Sequence, residues 1–402
     1  MGFASKNYQK IEKLMEKGVD IPNPMTIHVG DEVDINNISG NNVKIYPGCR
    51  IYGEKTVISS GVRLGYEAPV TIDNCQLGAG VELKGGYFCK SIFLEKSNMG
   101  LGAHVREGCI LEEEAGGAHC VGLKQTILFP FVTLGSLINF CDCFMAGGTS
   151  RRNHSEVGSS YIHFNFTPDG DKATASLIGD VPRGVMLNKP RIFLGGQGGI
   201  VGPVRIGFGN VVAAGSIIRK DYLEENKMII CKSLPNAVID IHPHAYPSFV
   251  RILRNNILYI ANLIALEEWY IHVRQVFLKD LEFGHLLYEG LLDKLLLAKK
   301  ERIKRLKDLA ENTKNTRPEF YNNFERFEAV FTEDRALREG IKERDTFLEG
   351  MEKHRKGHDK SYIDFIKGLP EEVSCVGTMW LDIVVERICK KVSGVLPSLK
   401  LF

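Results

Sequence analysis

The chain of 402 residues has few cysteines for its length, and it lacks both a strong net charge and a long hydrophobic run. Ten scattered cysteines cannot form a disulfide scaffold, so we interpret them as small buried side chains in a reducing cytoplasm. A net charge of +2 argues against a nucleic-acid-binding protein held by bulk charge. No segment reaches about eighteen uncharged apolar residues, so we expect no membrane span. Residues 1–18 lack the apolar core of a secretory signal, which favours a cytoplasmic protein.

Aliphatic residues recur every six positions in the middle of the chain. The most regular series is Leu194, Ile200, Ile206, Val212 and Ile218. Neither an α-helix nor a flat sheet has this period, whereas a triangular parallel β-coil forms one short strand and one corner per six residues. The same spacing is found at Ile45, Ile51 and Val57, at Leu77 and Leu83, and at Leu128 and Leu134. We therefore predict a β-coil rod over residues 25–240.

Helical patterns flank the predicted rod. Residues 1–24 comprise an amphipathic segment over Lys6–Lys17 and a linker. Residues 241–402 contain little glycine, and we predict an all-α domain there. A stripe spaced by three and four residues predicts a helix-packing seam, within the subunit or between subunits, at Leu292, Leu296, Lys299, Ile303, Leu306 and Ala310.

The six-residue pattern is interrupted over about residues 140–178, where polar residues concentrate. A neutral histidine there, His154 or His163, could take a proton from an attacking amine or hydroxyl. Arg151, Arg152 and Lys172 could hold a phosphate. The alternative is structural: a hydrogen-bonded histidine, a solvated or ion-paired arginine pair, and a tight turn at residues 168–170.

The repeat and the motifs of the interruption resemble the acetyltransferase half of bacterial N-acetylglucosamine-1-phosphate uridyltransferases. The matching motifs are Asn153-His154, Asn165-Phe166, Asp169-Gly170, Lys172 and Ile178-Gly179-Asp180. The resemblance covers about residues 25–235. It implies a left-handed parallel β-helix, an exception to the right-handed rule for parallel crossovers. It also implies a homotrimer with the coenzyme groove between neighbouring rods.

The resemblance further implies an acyltransferase that uses acetyl-CoA and accepts a sugar phosphate or a nucleotide sugar. The catalytic candidates are His154 as general base, His163 as an alternative base nearer in sequence to the motif asparagine, and Asn165 as a positioning residue. The substrate-binding candidates are Arg151, Arg152, Asn153, Phe166 and Lys172. The coenzyme-binding candidates are Gly196, Ala213 and Lys232.

The sequence also departs from the family pattern. Phe166 stands where the family has a tyrosine and Gly196 where it has a serine, and both hydroxyls are lost. These losses favour the alternative function, a non-catalytic nucleotide-sugar-binding or scaffolding protein. We expect no uridyltransferase activity, because the chain lacks the glycine-rich phosphate loop of that reaction. We expect no metal, because the histidines lack the spacing of the metal enzymes built on similar rods.

Overall fold

A computed structural model describes residues 6–165, 172–238, 240, 246–332, 340–355 and 361–402. The predicted fold class is confirmed: the chain forms a left-handed parallel β-helix of about eleven turns, with a helix at the N-terminal end and a helical C-terminal region. The strands form three parallel sheets, which are the three faces of a triangular prism.

The chain visits the faces in the order 1, 2, 3 in each turn. Face 1 contains His28–Val29, Arg50–Tyr52, Val70–Asp73, Gly86–Cys89, Ala103–Val105, Val121–Lys124, Ile138–Cys141, Tyr161–Phe164, Gly199–Val201 and Ile217–Ile218. Face 2 contains Val57–Ile58, Gln76–Leu77, Ser91–Phe93, Cys109–Leu111, Ile127–Leu128, Cys143–Met145, Ser176–Ile178 and Arg205–Ile206. Face 3 contains Lys44–Ile45, Arg63–Leu64, Glu82–Leu83, Asn98–Met99, Gly116–Gly117, Thr133–Leu134, Glu156–Val157, Phe193–Leu194, Val211–Val212 and Met228–Ile229.

The six-residue series points into the prism, as predicted. Leu194, Ile200, Val212 and Ile218 are fully buried, and Ile206 is 2% exposed. Each inward side chain packs on its counterparts in the turns above and below, because parallel pairing keeps the register from turn to turn. The core of the β-helix is therefore a column of aliphatic side chains.

Face 2 differs from the other faces because it is apolar on its outer side as well. Its inward column includes Ile58, which pairs with Leu77, so Val57 belongs to the outer column and not to the inward series. The outer column contains Val57, Ile92, Ile110, Ile127, Phe144 and Leu177, all of them buried. Such a face must be covered by another layer.

The C-terminal helices supply that layer. After the N-terminal helix α1 (Lys6–Glu16) and a short α2 (Val181–Gly184), they are α3 (Phe249–Trp269), α4 (Gln275–Leu278), α5 (Gly284–Asn312), α6 (Pro318–Asn322), α7 (Phe324–Thr332), α8 (Ile341–Arg355), α9 (Tyr362–Lys367) and α10 (Glu371–Val395). A π-helical turn, Tyr270–Arg274, joins α3 to α4. Within the described residues, 3₁₀ turns lie at Pro24–Thr26, Ile35–Asn37 and Pro397–Leu399. Helix α5 packs along three strands of face 2, and α3 packs on Ser176–Ile178.

The helix-packing seam that we predicted in α5 agrees with the buried residues only in the second half of the helix. Lys299, Ile303, Leu306 and Ala310 are buried, whereas Leu296 is 42% exposed. In the first half of α5 the buried stripe follows Leu287, Leu291, Leu295 and Ala298 instead. The contacts of this stripe with face 2 are intramolecular.

One helical segment, Phe249–Leu278, is long and apolar enough to cross a membrane by length and composition. Within the apolar window of this segment, 78% of the residues are buried inside the molecule. That burial is typical of a core helix, and here the helix lies between face 2 and the other helices.

Buried polar pairs join the helices to the β-helix. Tyr270 donates a hydrogen bond to Glu112 Oε1 at 2.5 Å, and Arg274 forms an ion pair with the neighbouring Glu113. Further along, Arg302 Nη2 donates to Asp142 Oδ1 at 2.5 Å. Because each partner lies on a different layer, these contacts fix the position of the helices along the prism.

Helix α1 covers the N-terminal end of the β-helix. Its apolar residues Ile11 and Leu14 are buried. The Lys10 ammonium donates to the carbonyls of residues 30, 31 and 33, each at 2.8 Å. Lys17 donates to the carbonyls of Ile35 and Ile38. Five carbonyl groups of the first turn are thus satisfied by a lysine of α1 and by the lysine that follows it.

We predict that Glu112 makes the molecule less stable at high pH. Burial raises the pKa of Glu112 to about 7 from an ordinary 4.5, although the positive charge of Arg274 opposes the shift. The protonated carboxyl therefore favours folding below about pH 4.5, and this contribution is lost as the pH rises through 7. At pH 8 the Glu112→Gln variant should exceed the wild type in free energy of unfolding, by up to roughly 3 kcal/mol, and at pH 4 the two should coincide.

Chemical denaturation of both proteins between pH 4 and 8 measures this difference. Glu54→Gln is the matched control, because Glu54 is exposed. Parallel pH profiles for wild type and Glu112→Gln would show that the pKa of Glu112 is the same in the folded and unfolded states, and would contradict the prediction.

Candidate functional site

The interruption of the repeat contains a small antiparallel hairpin. Its strands are Gly148–Ser150 and Asn153–His154, with Arg151 and Arg152 at the tip. Gly148 has φ +92°, and a Cβ there would lie 2.6 Å from the Cα of His154. Only glycine permits this close approach of the two strands. The hairpin emerges where the chain passes from face 2 to face 3, which we call the 2–3 edge.

The side chain of Arg151 ties the hairpin to earlier turns of the β-helix. Its Nη1 donates to the carbonyl of Glu114 at 3.0 Å, to the carbonyl of Phe131 at 3.1 Å and to Thr133 Oγ1 at 2.9 Å. Across the hairpin, Asn153 Nδ2 donates to Thr149 Oγ1 at 3.0 Å. These contacts hold the hairpin against the 2–3 edge.

The imidazole of His154 is held in one orientation. Its Nδ1 lies 2.7 Å from the carbonyl oxygen of Arg151. A carbonyl can only accept, so Nδ1 carries the proton and Nε2 of the neutral ring is left with a lone pair. Glu156 Oε2 lies 3.7 Å from Nε2, and the His154 side chain is 19% exposed. This ring can accept a proton at Nε2, and the carboxylate would stabilise the resulting cation.

His163 lies in a different environment. It occupies the inward column of face 1, next to Ile200, and its Nε2 lies 2.8 Å from Ser176 Oγ. It is only 7% exposed. Burial, together with the positive charge of Arg302, lowers the pKa of His163 to about 3, so the ring is neutral at pH 7.

Asn165 and Lys172 lie at the 1–2 edge, where the chain passes from face 1 to face 2. Both residues are exposed. The carbonyl of Lys172 accepts a hydrogen bond from Arg302 Nη1 of α5 at 3.3 Å, so the end of this loop rests on the helical region. Phe166 lies outside the described residues.

The predicted coenzyme residues lie at the 3–1 edge. Gly196, Ala213 and Lys232 each follow a strand of face 3 in successive turns. A Cβ on Gly196 would lie 2.7 Å from the carbonyl oxygen of Ser159, so the backbone at this position leaves no room for a side chain. Lys232 is exposed.

The predicted site residues are therefore divided among three edges of one prism. Arg151, Arg152, Asn153 and His154 are brought together at the 2–3 edge. Asn165 and Lys172 lie at the 1–2 edge, and the coenzyme candidates lie at the 3–1 edge. Within one subunit these three sets cannot converge, because a face of the prism separates each edge from the next.

Sequence reasoning missed two residues that contact the histidines. Glu156 approaches His154. This contact could have been predicted, because residues two apart in an extended segment lie on the same side of it. Ser176 binds His163 from the adjacent face, and nothing in the local sequence indicates this contact. Among the described residues, no group of three or more His, Cys, Asp or Glu side chains is arranged to hold a metal ion.

Curated relatives share the β-helix sequence. The bifunctional protein GlmU of Thermotoga maritima is 29% identical over 214 residues, which are 53% of this chain and 42% of that protein. GlmU of Carboxydothermus hydrogenoformans is 27% identical over 225 residues, 56% of this chain and 45% of that protein. The chain thus spans less than half the length of these relatives. No family model matches it.

The sequence similarity and the parallel β-helix agree. Together they show a hexapeptide-repeat protein that resembles the acetyltransferase half of the GlmU proteins. The similarity extends over about half of the chain. It therefore shows a relation between the β-helix of this chain and that of the GlmU proteins.

We predict that Arg151, and not Arg152, holds the hairpin in place. Arg151→Ala removes three hydrogen bonds to earlier turns. Amide exchange over residues 148–154 should become roughly tenfold faster, which corresponds to about 1.4 kcal/mol of local stability. Arg152→Ala is the matched control at the exposed tip and should exchange like the wild type. Hydrogen-exchange mass spectrometry measures both, and equal protection in the two variants would contradict the assignment.

Proposed function

We propose that this protein is an acyl-CoA-dependent acyltransferase, with acetyl-CoA as the donor and an amine or hydroxyl of a sugar phosphate or nucleotide sugar as the acceptor. The observation that carries the proposal is the orientation of His154. A ring that donates through Nδ1 to a backbone carbonyl presents Nε2 as a base, and it lies in a hairpin that two sets of hydrogen bonds hold in place. By relation to the GlmU proteins we place this activity in the cytoplasm.

In the proposed reaction, His154 Nε2 takes the proton of the acceptor as its nitrogen or oxygen attacks the thioester carbonyl. The C–S bond breaks, and the leaving thiolate takes a proton from the imidazolium. Glu156, 3.7 Å from Nε2, stabilises the imidazolium between the two proton transfers. Arg152, exposed at the hairpin tip, would bind the acceptor phosphate. Lys172 is also exposed but lies at the 1–2 edge, so it would reach this phosphate only from a neighbouring subunit. Arg151 and Asn153 act through the hairpin, since their side chains are already bound to it or to the β-helix.

His163 is the less suitable base. It lies inside the prism and is hydrogen-bonded to Ser176, and its lowered pKa makes it a weak proton acceptor. An acceptor could reach it only if the inward column opened. We therefore assign His163 a structural role and give the base role to His154.

The residues of the 3–1 edge fit the coenzyme in shape and charge. Gly196 and Ala213 keep the edge flat over consecutive turns, which suits an extended chain lying along it. Lys232 is exposed at the next turn, where it could pair with a phosphate of the coenzyme. When bound, the coenzyme supplies the thioester that is attacked.

The division of the site among three edges favours a homotrimer. Edges of two neighbouring prisms can meet in a cyclic assembly, which brings a coenzyme edge of one subunit to the hairpin edge of the next. Face 2 is covered by helices, so faces 1 and 3 are available for this contact. Face 1 exposes apolar side chains beside its edges: Leu137 is 54% exposed, and Ile162 and Phe164 are each 38% exposed.

The alternative function is a non-catalytic nucleotide-sugar-binding or scaffolding protein. The packing at Gly196 favours it, because no hydroxyl could be presented from that position without a shift of the backbone. The two functions differ in one respect that can be measured. Only the acyltransferase releases free coenzyme A in the presence of an acceptor.

We predict that His154→Ala lowers turnover by about 10²- to 10⁴-fold while leaving coenzyme affinity unchanged. A thermal-shift screen with acetyl-CoA, longer acyl-CoAs and UDP-sugars selects the ligands, since a ligand of the folded state raises the melting temperature. Release of thiol then measures turnover. His163→Gln is the control and should retain turnover. If His154→Ala is as active as the wild type, the histidine mechanism is wrong. If the wild type binds nucleotide sugars but shows no activity, the alternative function is supported.

We predict that the protein sediments as a homotrimer at micromolar concentration. The reason is that a complete site needs edges of neighbouring subunits. Analytical ultracentrifugation measures the mass of the species in solution, and Phe164→Lys, which places a charge on the exposed apolar part of face 1, should weaken the assembly. A wild type that remains monomeric would remove the interfacial site.

A further inference from the structure

A cavity of about 290 Å³ lies at the later end of face 2, where helices α3 and α10 meet helix α2. None of the residues that we assign to catalysis, to the acceptor or to the coenzyme lines it. The β-helix contributes Leu177 and Arg205, which are paired neighbours in the outer column of face 2. The other charged side chains of the lining are Asp180 and Arg183, at α2, and Asp382 of α10. The volume is at the lower end of the range for small-molecule sites.

Arg205 is a partly buried cation whose outer donors are free. Its side chain is 24% exposed, and Asp221 Oδ2 lies 3.6 Å from Nε, too far for a hydrogen bond. The other oxygen of Asp221 accepts from the backbone nitrogen of Arg205 and from Asn255 Nδ2. In the described part of the chain Nη1 and Nη2 have no hydrogen-bond partner, and unlike Nε they keep accessible surface. A guanidinium that has lost most of its water and lacks acceptors favours an anionic ligand group at these two nitrogens.

Arg183, by contrast, is satisfied within the chain. Its guanidinium forms ion pairs with Asp180 and Glu225, and it lies 4.9 Å from the ring centroid of Phe208. The pair of Arg183 and Asp180 therefore adds no net charge to the lining. Of the charged side chains around the cavity, Arg205 and Asp382 remain for a ligand.

Asp382 is the anionic counterpart of Arg205. Its carboxylate forms no hydrogen bond or ion pair within the described residues. Partial burial and the negative charge of Asp180 raise the pKa of Asp382 to about 6, although Arg183 opposes the shift. The carboxylate is thus ionised above that pH without a cation of its own. An ammonium group at this position would supply the missing positive charge.

The two free charges are separated along α10. Burial raises the pKa of Cys389 to about 12, and the positive charge of Arg205 opposes this shift, so the guanidinium lies near Cys389. Asp382 precedes Cys389 by about two helical turns, which is roughly 10 Å. Two charge-assisted contacts of about 2.8 Å, with the ammonium and the carboxylate of one α-amino acid between them, span a similar length.

The rest of the lining is mostly apolar. It includes Leu177, Leu223, Leu258 and Val385. The amide of Asn262, which also lines the cavity, is already used, because it accepts from the backbone nitrogen of Val181 and donates to the carbonyl of Leu258. An aliphatic side chain of the ligand would be well placed here, whereas a charged one would find no partner.

We propose that the cavity between α2, α10 and the later end of face 2 binds an α-amino acid with an aliphatic side chain. Arg205 binds its carboxylate and Asp382 binds its ammonium group. The site is separate from the hairpin of His154 and does not depend on the acyltransfer reaction.

The test is calorimetric titration of the full chain, without any acyl donor, at about pH 8, where Asp382 is ionised. The probes are L-leucine, L-isoleucine and L-valine. Two analogues of leucine each lack one charge: 4-methylpentanoate lacks the ammonium group, and 3-methylbutylamine lacks the carboxylate.

The variants Asp382→Asn and Arg205→Gln each remove one charge of the protein. Glu386→Gln is the matched control, because Glu386 is an exposed carboxylate one turn further along α10 that lines a neighbouring cavity and not this one. Thermal melting confirms that each variant is folded. The two analogues test both contacts even if Arg205→Gln does not fold.

We expect at least one of the three amino acids to bind the wild type and Glu386→Gln equally. Asp382→Asn should weaken this binding about ten- to a hundredfold and leave 4-methylpentanoate unaffected, whereas Arg205→Gln should weaken the binding of both. Each analogue should bind the wild type about ten- to a hundredfold less tightly than leucine. His154→Ala should bind as the wild type does, which separates this site from the proposed catalytic one.

Three results would overturn the proposal. The first is equal binding of the amino acid by Asp382→Asn and the wild type. The second is binding of 4-methylpentanoate as tight as that of leucine, which would show a site for anions alone. The third is no binding of any of the three amino acids by the folded wild type.

Discussion

The outer side of face 2 is the constraint on which the arrangement of the molecule depends. Most turns of this face place an apolar side chain inward and a second one outward, as with Leu111 and Ile110 or Leu128 and Ile127; Gln76 and Arg205 are the polar exceptions. A lone β-helix would expose the outward column to water, at a cost of about 25 cal/mol for each Å² of apolar surface. The helical region removes that surface from water, and so the two parts of the chain fold as one body.

This covering also determines what the β-helix can do. With face 2 occupied, only two faces and the edges remain for ligands and for other subunits. The hairpin of His154 lies at a border of the covered face, held by Arg151 to the corners of earlier turns. The polar pairs between layers, such as Arg302 with Asp142, fix the helices in register with those turns. The candidate site is thus built on rigid β-helix corners and bounded by helices.

Much of the fold could be predicted from the sequence, because few structures repeat an inward side chain every six residues. Leu194 and Ile200 are inward in the structure as the period requires. The prediction assigned Val57 to the inward series, which is wrong. Val57 and the adjacent Ile58 are both apolar and both buried, so the six-residue period alone does not show which of the two points inward. The pairs of adjacent apolar residues on face 2 were the available sign of a covering layer.

The candidate site was less predictable, for a geometric reason. Sequence spacing reports distance along the chain, and each edge of a triangular coil returns only once per turn. Asn165 follows His154 by eleven residues, and the structure puts the two on different edges. The inward position of His163 did follow the alternation of its strand, but its partner Ser176 comes from the next face. The tight backbone at Gly196 depends on packing between turns, which no local pattern contains.

The covering of the first turn by α1 has a consequence for behaviour in concentrated solution. A parallel coil ends in a strand edge with free carbonyl groups, and two such ends can join into a growing filament. Here Asn7 bonds the Ile27 carbonyl and the Val29 amide of the first strand, and Lys10 and Lys17 bind carbonyls in residues 30–38, while helix α1 lies across the end. A second molecule would have to displace these contacts before it could add a strand. Helix α1 therefore blocks the end-to-end association of β-helices through this end.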